Sequence, residues 1–134
     1  MKKSLLILTL FCMCCLPAVG CKSRNLLVQT APISIEGLDK TKVENAIKAA
    51  IPRRGWIMEK NEGQVIRARN LIRGKHTVVI DVDYSGDAIK IEYVESQNLD
   101  YQKEGDVEYI HKNYNVWTDY LRQDIAVEIG RLRV

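Results

Sequence analysis

The chain has two histidines, three prolines, one phenylalanine and four cysteines in 134 residues. His76 and His111 stand without a second histidine or a cysteine at ligand spacing, so no metal is expected. A G-x-S-x-G elbow, a P-loop and a dinucleotide fingerprint are all missing, which removes the common hydrolase and nucleotide-binding patterns. Asp81 and Asp83 lie two positions apart, but on a strand that spacing gives neighbouring surface charges. Paired carboxylates act as acid and base only inside a cleft, which a small sheet rarely offers. The residues therefore predict no enzyme and no cofactor.

Charge of one sign is also scarce. The formal net charge is +3, from 20 Lys and Arg against 17 Asp and Glu. Lys2 and Lys3 stand at the extreme start, and without them the chain is nearly neutral. A nucleic-acid partner, which needs a clustered basic excess, is not expected. Beyond residue 20 no apolar run is long enough to span a bilayer. The run at residues 5–16 is itself short of the ~20 residues that a spanning helix requires.

What is present at the start is an ordered series. Lys2 and Lys3 supply a positive region, residues 5–16 an apolar one, and Ala18, Val19 and Gly20 a small-residue approach to Cys21. This series resembles the signal peptide and lipobox of bacterial lipoproteins, although Ala18 stands where that motif usually has leucine. The resemblance implies cleavage after Gly20 and acylation of Cys21, which becomes the lipid attachment site (diacylglyceryl and palmitate-type chains). It also implies a place at the cell membrane, and Lys22 instead of aspartate after the cysteine favours the outer membrane facing the periplasm. An ordinary secretory signal that leaves Cys21 as a free thiol, or an uncleaved anchor, are the alternatives. Cys12, Cys14 and Cys15 would leave with residues 1–20, so no disulfide can form within the mature chain. Each buried methylene contributes ~0.8 kcal/mol and one acyl chain holds only marginally, so stable attachment needs several chains.

Removal of residues 1–20 leaves 114, enough for one domain with a modest core. Residues 21–29 read as a tether whose eight residues after Cys21 would reach ~25 Å if extended. Residues 30–134 read as a single α+β domain. Ile33 and Ile35 suggest a short edge strand after Pro32. Asp39 or Thr41 caps a helix whose core face carries Val43, Ile47, Ala50 and Ile51, with Thr41 and Glu44 at capping-box spacing. Strands follow at residues 56–60, 65–72 and 76–84, then through Ile89, Ile91 and Tyr93. Short polar turns between them predict an antiparallel meander with one wet face. Residues 97–106 read as a polar loop, and a long helix begins at Ile110 with a stripe through Tyr114, Trp117, Leu121, Ile125, Ile129 and Leu132. The expectation is an α+β fold of three to five strands with two helices on one sheet face, in the order β-α-β-β-β-β-α.

On the wet face Arg67, Arg69 and Arg73 face Asp81 and Asp83 on the neighbouring strand, with Lys90 and Glu92 beyond. Opposite charges there contribute ~0.2–1 kcal/mol per pair and fix register, so a solvated face outweighs an anion-binding one. The remaining candidates surround the last loop: Trp56, Tyr93, Asn98, Tyr101, His111 and Tyr114. Tyrosine and tryptophan bury a large apolar body around one polar tip, so such a group either locks a loop or lines a small pocket. Residues 96–99 and 110–117 resemble segments of small bacterial lipoproteins of unknown function, over about residues 55–121. That resemblance implies the same address and fold and carries no activity.

Two functions remain open. The first is a membrane-anchored periplasmic module that contacts an envelope protein or serves as a structural component, through a sheet edge or the loop at 97–106. The alternative is a small-ligand receptor or weak enzyme built on the aromatic group.

Overall fold

The computed structural model describes residues 24–134. The leader and Cys21 lie outside the described residues. Eight strands and two helices follow in the order β1 Arg24–Leu26, β2 Ile33–Ser34, α1 Lys40–Ala50, β3 Trp56–Glu62, β4 Val65–Ile72, β5 His76–Asp83, β6 Ala88–Gln97, β7 Gln102–Glu104, β8 Val107–His111 and α2 Lys112–Arg131. They form two antiparallel sheets. One has the order β2-β6-β5-β4-β3 and the other β1-β8-β7. The fold is α+β, with the expected meander and a C-terminal helix.

Helix α1 starts where Asp39 can cap it. The Asp39 carboxylate accepts from the Lys42 amide at 3.0 Å, satisfying one of the free donors of the first turn. Glu44 is thereby released from the capping role that its spacing from Thr41 suggested. It accepts instead from Tyr84 Oη at 2.9 Å, Asn61 Nδ2 at 2.7 Å and Lys48 Nζ, which joins α1 to β3 and to the residue that follows β5. A single 3₁₀ turn, Ile51–Arg54, follows α1 with Pro52 near its start. Gly55 then takes a left-handed conformation (φ 81°) that turns the chain into β3.

Alternation in the meander does what the sequence requires. Val78, Ile80 and Val82 of β5 are buried against Ile66 and Ala68 of β4 and against Ile89 and Ile91 of β6. Val43, Ile47 and Ala50 of α1 and Tyr114, Leu121, Ile125 and Ile129 of α2 close the same core from one side. Two bulges break the ladders, between Met58 and Lys60 of β3 and opposite Val79 and Ile80 on β6. Each inserts one unpaired residue and re-aims the strand beyond it.

Three expectations need correction. Residues 24–26, read as tether, form β1, which pairs with β8 in the register Arg24 to His111 and Leu26 to Tyr109. Much of the polar loop is a hairpin, with Gln102 opposite Tyr109 and Glu104 opposite Val107 across a turn containing Gly105 at φ 61°. Ile110 belongs to β8, and α2 begins two residues later, with His111 Nδ1 accepting from the Asn113 amide at 3.2 Å. The apolar stripe continues through that junction because Ile110 enters the core from the strand instead of the helix.

Candidate functional site

The aromatic group proposed from the sequence divides in two. Tyr93 and Tyr101 stack at 4.4 Å between ring centres, and Tyr114 meets Tyr93 edge-on at 5.6 Å. Tyr114 is 2% exposed. The polar tips are engaged within this packing: Tyr101 Oη donates to Glu108 at 2.6 Å, and Tyr93 Oη lies 3.0 Å from Ser96 Oγ. The bond to Glu108 pushes the Tyr101 hydroxyl up to about 12, and burial pushes Tyr114 and Tyr93 upward as well. The three tyrosines thus bolt the β7–β8 hairpin to the meander. Five concavities of the described surface are lined by residues other than these three tyrosines.

Asn98 and His111 are likewise part of the scaffold. Asn98 adopts a left-handed conformation at φ 58°, its Nδ2 donates to the Lys75 carbonyl at 2.7 Å, and its own carbonyl meets His76 Nδ1 at 2.8 Å. Asparagine tolerates that backbone and bonds it locally, which is the turn role expected of it. His111 caps α2, and its amide donates to the Leu99 carbonyl at 2.8 Å. Among the described residues no group of three His, Cys, Asp or Glu side chains converges as a metal ion would require.

Trp56, itself buried in the core at 2% exposure, is the member of the group that lines concavities of the described surface. It opens β3, the outer strand of the five-stranded sheet, and its ring separates two concavities. On one side lie Arg54, Asn70, Ile72, Trp117 and Tyr120 around about 220 Å³. The polar groups there are engaged: Asn70 Nδ2 donates to the Arg54 carbonyl, while the Arg54 guanidinium grips Asp124 at 2.6 Å and sits 4.7 Å over the Tyr120 ring. A hollow below the ~300 Å³ of ordinary ligand pockets, with its polar groups already paired, offers a small molecule little.

On the other side is an apolar groove of about 370 Å³ lined by Lys48, Ile51, Pro52, Trp56, Ile57 and Met58. Ile57 is 58% and Met58 45% exposed, although both lie in a strand. Neighbouring strand residues point to opposite faces, so one of two adjacent apolar residues should be buried if β3 were covered. The sheet ends at β3, however, and the bulge after Met58 turns the strand there, so both faces remain open. The wall is fixed from behind: Arg53 and Arg54 in the 3₁₀ turn form ion pairs with Glu128 and Asp124 of α2.

Sequence reasoning named Trp56 and missed the rest of this groove. The usable signal was the run Trp56-Ile57-Met58, three apolar residues in a strand expected to alternate. The wet face follows the charge pattern read from the sequence in part. Arg67 grips Asp81 directly across the ladder through two bonds of 2.8 Å, whereas Arg69 pairs to the other side with Glu59 of β3 at 2.6 Å. Arg73 lies in the turn after β4. These pairs neutralise Arg67 and Arg69, two of the three arginines that an anion site would need.

No protein-family model matches the chain, and no curated protein or solved structure is similar to it.

Proposed function

We propose that this protein is a lipid-anchored envelope module that works by contact, held at the bacterial membrane through acylated Cys21 and binding an envelope protein at the β3 edge. The observation that carries the reading is the apolar groove beside that edge, with Ile57 and Met58 exposed at its lip. An extended apolar segment of a partner would lay side chains against Pro52, Ile57 and Met58 and share backbone hydrogen bonds with residues 56–58. Beyond Met58 the bulge and Lys60 interrupt the edge, which limits such pairing to a short stretch and favours side-chain insertion over a long ladder.

A photo-crosslinking residue at Met58, introduced into the protein in intact cells, tests the partner. A discrete adduct that disappears with Ile57→Lys is the expected result. Recovery of abundant envelope proteins alone, unchanged by Ile57→Lys, would exclude β3 as a binding edge. The receptor alternative loses its basis in Tyr93, Tyr101 and Tyr114, whose rings pack on one another.

A further inference from the structure

The outer face of the three-stranded sheet carries exposed aliphatic side chains beside charged and polar ones. Leu26 lies opposite Tyr109, so both point to one side, Val107 falls on that side by alternation, and Val28 follows two residues after Leu26. Leu27, between them, points inward and packs on the core. Leu26 and Val28 are each 56% exposed and Val107 41%. Arg24, Gln102 and Glu104 share that side, Gln102 opposite Tyr109 and Glu104 opposite Val107, and the Arg24 guanidinium reaches across β8 to bond both other side chains.

The position of this face in the chain says what covers it. Arg24, the first residue of β1, is three residues after Cys21, a link that spans ~10 Å at most. Beyond Arg24 the chain is fixed. Asn115 of α2 accepts from the Val28 amide at 2.9 Å and donates to the Leu26 carbonyl at 2.8 Å, and the Leu27 amide donates to the Glu108 carbonyl at 2.8 Å. A cysteine inserted by its acyl chains would therefore draw β1 down to the headgroups, with too little slack for the domain to stand away.

We infer that the outer face of the β1-β8-β7 sheet, carried by Leu26, Val28, Val107 and Tyr109, rests on the lipid bilayer that holds the anchor. Aliphatic side chains and a tyrosine suit the interfacial layer, where a ring can bury its body and keep its hydroxyl in water. The inference rests on the anchor reading above and adds an orientation to it. Small-sheet contacts reach the meander at β6, through Tyr101 on Tyr93 and Gln29 on the Ile91 carbonyl, whereas the β3 groove lies at the opposite edge of that sheet. The membrane face and the partner edge thus occupy different sides of the domain.

The test uses full-length protein purified from bacterial membranes and reconstituted into vesicles of phosphatidylethanolamine and phosphatidylglycerol. Val107→Cys carries an environment-sensitive nitrobenzoxadiazole dye, and Val127→Cys on the exposed side of α2 serves as the comparison. With vesicles present, emission at 107 should shift to the blue and become shielded from aqueous iodide, while emission at 127 stays unchanged. Vesicle-bound protein whose position 107 remains water-like would overturn the inference and leave the anchor intact. A blue shift at 107 without vesicles, growing with protein concentration, would assign the face to a second copy of the chain and also overturn it. Unsubstituted protein that takes up dye at Cys21 and stays off the vesicles would refute the anchor itself.

Discussion

The two sheets of this protein are held together by different means. The five-stranded sheet is stabilised by what it buries: Ile66, Ala68, Val78, Ile80, Val82, Ile89 and Ile91 lie in one core beneath two helices. In the three-stranded sheet Ile110 is the only buried residue of the three strands. Backbone pairing, the Asn115 clamp on residues 26–28 and the Tyr101–Glu108 bolt hold it instead. Burial is cooperative across a whole core, whereas a clamp acts where it stands. The first sheet should thus unfold with the domain and the second should be able to open by itself.

Substitutions should separate the two. The largest effect is expected from Ile80→Ala, which empties a fully buried site in the middle strand and should cost about 3 kcal/mol of global stability by urea unfolding. A loss close to zero would mean that the meander does not set the domain's stability.

Alkaline pH probes both sheets through tyrosines. Burial and the Glu44 bond push Tyr84 up to about 12, and the Glu108 bond pushes Tyr101 to about the same value. Each hydroxyl keeps its proton longer in the folded state than in the unfolded chain, where it titrates near 10. Their contribution is therefore complete below about pH 10 and is lost as pH rises from about 10 to about 12. Urea midpoints should fall across that window. Tyr84→Phe should flatten the global fall, and Tyr101→Phe should flatten the loss of amide protection in β7 and β8.

Asn115→Ala removes both clamp bonds and should cost about 1–2 kcal/mol, concentrated in the small sheet. Hydrogen exchange at the Leu27 and Val28 amides should quicken while Val79 stays protected. Equal acceleration at all three would show that the two sheets open together. Asp39→Ala, which strips the α1 cap, should cost about 1 kcal/mol in urea midpoint. Smallest is Asp81→Asn on the wet face, where the cross-strand pair with Arg67 contributes ~0.2–1 kcal/mol and salt should reduce the difference.

The same difference decides how much could be read beforehand. Val78, Ile80 and Val82 announce β5 because burial repeats every second residue, and Asp39 announces α1 because a free amide needs an acceptor. Gln102, Lys103 and Glu104 bury nothing, so β7 leaves no periodic trace, and Gly105 alone hinted at the hairpin. Ile110 fitted a helical stripe that it completes from a strand. The site was legible only at Trp56. Tyr93, Tyr101 and Tyr114 had the composition of a pocket, but rings that can fill a space with one another leave none. The exposed apolar pairs Ile57 with Met58 and Leu26 with Val28 went unread because exposure follows from where a sheet ends, which the sequence does not state.

Metabolic labelling with an alkyne fatty acid, comparing the natural chain with Cys21→Ser, tests the central claim most directly. The account predicts label on the natural protein and none on Cys21→Ser. An unlabelled natural protein, or equal label on Cys21→Ser, would contradict it.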